Sequence, residues 1–136
     1  MKKISFKEIA SRIDAFEFPK VDTVIGISTG GIVASSLIAQ KLGCELSIIH
    51  LSYRDENNTP LYPEPVCLNE LNIPENNKRI LLVDDVFVSG KTLQKAKTML
   101  QAHDVTTCVL SGKAAIVLFP EITSCVRWPW TQDHSF

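Results

Sequence analysis

The sequence of 136 residues lacks the features that mark several classes of protein. It has only four cysteines and no CxxC spacing, so we expect reduced, structural thiols. The net charge is −1 and there is no basic block, so a nucleic-acid-binding surface is not indicated. No apolar run is long enough to span a bilayer, and the first residues, MKKISFKEIA, lack the apolar core of a signal peptide. We therefore expect a cytoplasmic protein without a membrane partner.

What the sequence does contain is typical of one globular domain, residues 1–136. Apolar residues make up 45% and charged residues 21%. Ser5 and Glu8 form a capping-box pattern at the start of a helix over about 5–15. The other patterns predict strands at 21–28, 44–53, 79–86 and 105–112, a helix that ends at Gly43, a helix at 90–103, and short apolar segments at 114–118 and 122–127. Residues 54–78 carry four prolines and predict a long irregular segment.

Strands that alternate with helices predict a parallel α/β sheet with right-handed crossovers. In such sheets, ligands bind at the carboxyl ends of the strands. Two polar loops fall at that edge, each between a strand and a helix: Ser-Thr-Gly-Gly at 28–31 and Asp-Asp-Val-Phe-Val-Ser-Gly-Lys-Thr at 84–92. Because both loops lie on one edge of the sheet, they predict a ligand site there.

The stretch ILLVDDVFVSGKTL, residues 80–93, ends an apolar strand with two acids and has three interpretations. A Walker A phosphate loop matches SGKT, but it requires a glycine five positions before Gly90, where Asp85 stands and would repel phosphate. A phosphoacceptor receiver domain also has paired acids and a later lysine, here Lys113. However, it requires an aspartate at the end of an intervening strand, and VTTCVLSG has none. The third interpretation is a sugar-phosphate site.

In a sugar-phosphate site, the acids and the turn after them bind different ends of one ribose 5-phosphate. The carboxylates of Asp84 and Asp85 accept hydrogen bonds from neighbouring ribose hydroxyls or stand near a divalent cation. The turn offers backbone N–H groups, hydroxyls and a helix N-terminus to a phosphate dianion. The predicted 5-phosphate-binding residues are Val88, Ser89, Gly90, Lys91 and Thr92.

Residues 80–93 resemble the 5-phosphoribosyl pyrophosphate (PRPP) motif of type I phosphoribosyltransferases: an apolar strand, two acids, a spacer, Ser or Thr, Gly, any residue and Thr. The stretch GISTGGIVASSLIAQKLG is similar to the family's pyrophosphate loop and the helix behind it. The stretches LSYRDEN, LSGKAA and WPW resemble the mobile-loop, base-binding and C-terminal segments of the xanthine-guanine phosphoribosyltransferases. The resemblance covers most of residues 21–132 and is strongest at 80–93.

The resemblance implies a Rossmann-like parallel-sheet core with helices on both faces, a small hood from about 1–20 and 114–136, and a mobile loop at about 54–78. It implies a cytoplasmic, Mg²⁺-dependent transferase of purine salvage that joins a 6-oxopurine to PRPP, releases pyrophosphate and forms a homodimer or homotetramer. Asp84 and Asp85 would be catalytic and would stand near the Mg²⁺ of PRPP, directly or through water. The implied pyrophosphate-binding residues are Ser28, Thr29, Gly30 and Gly31. The implied base-binding residues are Lys113, Val126, Arg127 and Trp128, and Ser52 and Tyr53 begin the mobile loop.

Two positions depart from the family pattern. Thr29 stands where the purine enzymes usually carry Arg or Lys, and a charge-assisted hydrogen bond is roughly twice as strong as a neutral one. Val88 stands where the 6-oxopurine enzymes commonly place an acid, whose general acid–base help would amount to about 10²–10⁴-fold. The alternative hypothesis is therefore a PRPP- or nucleotide-binding regulatory relative with weak or no catalysis.

Overall fold

The computed structural model describes residues 2–52, 59–69, 78–87 and 90–131. Within these ranges strands and helices alternate as the sequence predicts. In chain order the elements are β1 (Lys2–Lys3), α1 (Phe6–Ala15), β2 (Thr23–Ser28), α2 (Ile32–Leu42), β3 (Glu45–Ser52), β4 (Val66–Cys67), β5 (Arg79–Val86), α3 (Lys91–Met99), β6 (Asp104–Ser111), β7 (Ile116–Val117) and β8 (Val126–Arg127).

The main sheet has six strands in the order β4-β3-β2-β5-β6-β7. All neighbouring pairs are parallel except β3 and β4, which are antiparallel. The strand order reverses between β2 and β5, and their carboxyl ends lie side by side. A crevice at such a reversal is where open α/β sheets bind ligands, so the fold brings the two predicted loops to one place.

The sheet is covered on both faces, which confirms the predicted α/β architecture. One apolar cluster joins α1 and α2 to the sheet and includes Ile13, Ile38 and Leu81. The other joins α3 to the opposite face through Leu93 and Ala96. The two central strands, β2 and β5, are buried on both faces, as expected when helices cover a parallel sheet. Among the described residues, no helix has the length and apolar character needed to cross a membrane.

The two ends of the chain meet in a separate small sheet. Strand β1 pairs in parallel with β8, with Lys2 opposite Val126 and Lys3 opposite Arg127. The predicted capping box then starts α1, because the backbone N–H of Glu8 donates to Ser5 Oγ (3.1 Å) and the N–H of Ser5 donates to the Glu8 carboxylate (3.3 Å). The C-terminal segment also reaches the carboxyl end of β5, where the indole N–H of Trp130 donates to Asp85.

The structure corrects the predicted elements at a few points. Strand β4 lies inside the segment predicted to be irregular. The sequence did not predict it because a strand of two residues at a sheet edge leaves no periodic pattern. Helix α3 ends at Met99 rather than 103, with the N–H of Leu100 donating to the carbonyls of Ala96 and Lys97 in a closing turn. Helix α2 does end at the predicted glycine, since Gly43 adopts φ 65°.

Candidate functional site

A cavity of about 320 Å³ lies at the carboxyl ends of β2, β3 and β5. Four of the predicted site segments contribute to it, namely the end of β2, Ser52 at the end of β3, Asp84 of the acid pair and the first turn of α3. The described lining residues are Ile27, Ser28, Thr29, His50, Leu51, Ser52, Asp84 and Thr92. The lining is mainly polar and presents a carboxyl group, hydroxyls and an imidazole, which suits a hydroxylated, charged ligand.

Asp84 is the acid that faces this cavity. The residue is only 9% exposed, and its Oδ1 accepts the backbone N–H of Asp85 at 2.8 Å. Burial, helped by the neighbouring charge of Asp85, raises the pKa of Asp84 well above the ordinary aspartate value. A ligand that offers hydroxyl donors or a nearby cation would stabilise the charged carboxylate, so Asp84 is poised to accept one.

Asp85 faces the opposite side of the strand, since neighbouring side chains in a strand alternate. Its Oδ1 accepts the backbone N–H of Val86 at 2.7 Å, and its Oδ2 accepts the indole N–H of Trp130 at 3.0 Å. Asp85 is therefore bound to the C-terminal segment, and the two acids are not equivalent. Sequence reasoning did not identify Trp130 as a partner of the acid pair, because nothing in its local sequence shows where the C-terminal segment returns.

The glycines of the 28–31 loop are needed for packing within the protein. A Cβ on Gly30 would clash with the carboxylate of Asp85, and a Cβ on Gly31 would clash with the backbone carbonyls of Val83 and Ile27. These two glycines therefore let the loop lie directly against the neighbouring backbone and β5. The Ser28–Thr29 peptide bond is cis.

His50 also lines the cavity, although it is not among the site residues predicted from the sequence. It lies opposite Ser28 in the parallel register of β2 and β3, and its Nδ1 is 2.7 Å from Ser28 Oγ. Its backbone is held by Asn69 and Leu68, because His50 N–H donates to Asn69 Oδ1 and Leu68 N–H donates to the His50 carbonyl, each at 2.8 Å. The sequence signal that could have identified His50 is its position near the carboxyl end of β3, between the buried residues Ile49 and Leu51.

The turn predicted to bind the 5-phosphate is described from Gly90 onward, and Val88 and Ser89 lie outside the described residues. Gly90 caps α3 with φ 80°, a conformation that favours glycine, and a Cβ there would lie 2.7 Å from the ring of Phe87. Lys91 and Thr92 form the first turn of α3, and Thr92 also lines the cavity. The N-terminus of α3 therefore lies at this end of the site, where the positive end of the helix dipole favours an anion.

The predicted base-binding residues are less closely grouped. Lys113 is exposed beyond the end of β6, and Val126 and Arg127 are half-buried in β8. Trp128 is 4% exposed, stacks on Trp130 with ring centroids 5.9 Å apart, and belongs to the apolar core. None of the four lines the described cavity. Ser52 does line it, and Tyr53 lies outside the described residues.

The acid pair also bears on magnesium. The described residues contain no group of three or more His, Cys, Asp or Glu side chains placed to hold a metal ion. Mg²⁺ typically takes one or two protein carboxylates and completes its shell with phosphate oxygens and water. The carboxylate of Asp84 in the cavity fits that role, and a ligand phosphate would have to supply further oxygens.

Comparison with known proteins shows the family. The model of the phosphoribosyl transferase domain matches residues 3–129, and the chain belongs to this family. The chain is 33% identical over 101 residues to the transcriptional regulator GfcR of Methanocaldococcus jannaschii, covering 71% of this chain and 42% of that protein. It is 29% identical over 93 residues to the bifunctional protein PyrR of Citrifermentans bemidjiense, covering 63% of this chain and 52% of PyrR. The chain thus spans about half the length of these curated relatives.

The fold agrees with this assignment. A crystal structure of a purine phosphoribosyltransferase from Pyrococcus horikoshii superposes with a TM-score of 0.77 at 22% identity, covering 100% of this chain and 99% of that one. The predicted fold, a type I phosphoribosyltransferase core with helices on both faces, is confirmed. The resemblance seen at residues 80–93 is confirmed at the level of the family.

Proposed function

We propose that this protein transfers the 5-phosphoribosyl group of PRPP to a purine base and releases pyrophosphate. The observation that carries the proposal is the cavity in which Asp84, the 28–29 loop and the first turn of α3 meet, in a chain of the phosphoribosyl transferase family. The three parts correspond in chemistry to the three parts of PRPP. They offer acceptors to ribose hydroxyls, a loop to pyrophosphate and a helix N-terminus to the 5-phosphate.

The chain's own residues would act mainly by positioning and by electrostatics. Asp84 would accept hydrogen bonds from the ribose and so restrain the sugar as its C1–oxygen bond to pyrophosphate breaks. Backbone N–H groups around Thr29 and Gly30 would stabilise the charge that develops on the leaving oxygen. Mg²⁺, when bound with PRPP, would supply Lewis-acid neutralisation of the pyrophosphate. The attacking nitrogen of the base replaces the pyrophosphate oxygen at C1, and the base loses a proton.

The test of this proposal is turnover with a panel of bases. The protein is incubated with PRPP and Mg²⁺ together with guanine, xanthine, hypoxanthine, adenine, uracil or orotate, and pyrophosphate is measured. We expect release with at least one purine and its loss in Asp84→Asn. The control Asp104→Asn changes an exposed aspartate at the far end of β6 and should keep the wild-type rate. Silence of the wild-type protein across the whole panel would contradict transferase activity.

A second candidate function is a PRPP- or nucleotide-binding regulator. Two observations favour it: the curated relatives include proteins named as regulators, and Thr29 removes the usual charge from the pyrophosphate loop. A regulator would bind PRPP saturably in calorimetry but would not release pyrophosphate from it in the presence of any base. A transferase would show both binding and release, so the two measurements together separate the candidates.

A further inference from the structure

We propose that His50 binds the pyrophosphate group of PRPP and supplies the positive charge that Thr29 does not. The inference rests on the proposed binding of PRPP in the cavity, and it adds a residue from β3 to a site otherwise built from β2, β5 and α3. It applies equally to a transferase and to a PRPP-binding regulator, because both must hold the same anion.

The charge of the cavity is the first reason. Of the described lining residues, His50 is the one whose side chain can carry a positive charge, and Asp84 is the other ionisable group. Pyrophosphate brings several negative charges into this space. Imidazole changes its charge near neutral pH, and a neighbouring anion favours its charged form. His50 is therefore the described lining residue able to give the anion a charge-assisted hydrogen bond.

The contact with Ser28 orients the ring for that role. Because Nδ1 lies 2.7 Å from Ser28 Oγ, the ring nitrogen left for a ligand is Nε2. If the Ser28 hydroxyl donates to Nδ1, the neutral ring carries its proton on Nε2; if the ring is charged, both nitrogens carry protons. In both of these states Nε2 carries a proton and can donate a hydrogen bond. An anion in the cavity would therefore favour them over the neutral tautomer that carries its proton on Nδ1. Among the residues the structure describes, none forms a hydrogen bond with Nε2.

The backbone of His50 is also held firmly. Its N–H donates to Asn69 Oδ1 and its carbonyl accepts from Leu68, while Asn69 Nδ2 donates to the carbonyl of Ile48 at 2.9 Å. These hydrogen bonds hold β3 at His50, on the side of the strand away from β2. A binding group held on a strand and braced by its neighbours keeps its geometry better than one on a loop.

The test compares ligands that carry different ends of PRPP. Affinities for Mg²⁺-pyrophosphate, ribose 5-phosphate and PRPP are measured by calorimetry on the wild type and on His50→Asn. Asparagine can still bond to Ser28 but cannot carry charge. We expect His50→Asn to weaken binding of pyrophosphate and PRPP by about tenfold or more, as loss of a hydrogen bond between charged groups predicts, and to leave binding of ribose 5-phosphate unchanged.

Two further variants sharpen the result. His50→Lys restores a positive charge and should recover part of the lost pyrophosphate affinity. His103→Asn removes an imidazole whose Nδ1 accepts the backbone N–H of Lys78 at 3.1 Å, outside the cavity lining, and should leave all three affinities unchanged. Equal weakening of pyrophosphate and ribose 5-phosphate by His50→Asn, or no weakening, would overturn the inference while PRPP binding itself stood. A wild-type protein that failed to bind PRPP would instead overturn the proposed function, and the inference with it.

Discussion

Replacement of Asp84 by asparagine should make the protein more stable while it destroys the site. The carboxyl group is almost fully buried, and its Oδ1 accepts the Asp85 N–H at 2.8 Å. Asparagine has nearly the same shape, and its own Oδ1 can accept that hydrogen bond. The substitution therefore removes a buried ionisable group with little loss of packing.

The sign of the effect follows from the pKa. Burial and the charge of Asp85 place the folded-state pKa of Asp84 above its unfolded value. The stability associated with this group is then fully present below the unfolded pKa and is lost as pH rises through the folded pKa. Asparagine does not titrate, so the stability gained by Asp84→Asn over the wild type should grow as pH rises above about 4. Near pH 8 it should reach about 1–3 kcal/mol, the usual cost of leaving a buried polar group poorly solvated.

The measurement is urea unfolding of both proteins at pH 4, 6 and 8 without ligand. PRPP binding to the same samples should be lost in Asp84→Asn at every pH. The Asp104→Asn control, an exposed change on the neighbouring strand, should show no such pH-dependent gain. An Asp84→Asn variant that is no more stable than the wild type at pH 8, or whose advantage does not shrink toward pH 4, would contradict a destabilising buried carboxylate.

Three other substitutions test local features of the fold. Gly31→Ala should destabilise the protein at the upper end of the about 1–3 kcal/mol typical of overpacking, because its Cβ would press on the backbone carbonyl of Val83. A Cβ at Gly43 would lie in open space, so Gly43→Ala should lower the free energy of unfolding only by the about 1 kcal/mol that a left-handed backbone costs alanine. Equal losses for Gly31→Ala and Gly43→Ala in urea unfolding would contradict this explanation. The hydrogen bonds from Arg12 lower the pKa of Glu121 to about 2. Glu121→Gln should thus be less stable than the wild type in thermal unfolding at neutral pH. The difference in stability should be reduced by salt and should disappear as pH falls from 4.5 toward 2. A difference that did not depend on pH would exclude the Arg12–Glu121 ion pair as its cause.

Much of the fold could be predicted because the sequence signals were local. The central strands are buried on both faces and read as continuous apolar runs, and α1 carries its capping box in four consecutive residues. The relation between the two loops also followed, since carboxyl ends of parallel strands share one edge. Two features of the fold were not predicted. Strand β4 depends on a tertiary contact, because it exists only as a short partner of β3, and the end of α3 has no glycine or proline to mark it in the sequence.

The candidate site shows the same division. Asp84, Ser28, Thr29 and Thr92 were predicted as site residues, and all line one cavity. His50 was missed because its contact with Ser28 depends on the register of β2 against β3, which a single sequence does not specify. The base-binding residues were assigned by resemblance alone, and their role stays a prediction.

The predicted role of Asp85 in ribose binding stays a prediction, because its side chain faces away from the described cavity and is bound to Trp130. Asp85 Oδ2 now accepts an indole N–H, so a ribose hydroxyl would replace one neutral donor with another. Such an exchange changes the free energy by no more than about 1 kcal/mol, because the net worth of a single hydrogen bond in a protein is of that order. The energy of the hydrogen bond to Trp130 is therefore too small to exclude such an exchange by itself. The hydrogen bond joins β5 to the C-terminal segment at the acid pair, so a ribose hydroxyl that bonded to Asp85 Oδ2 would have to displace the indole of Trp130.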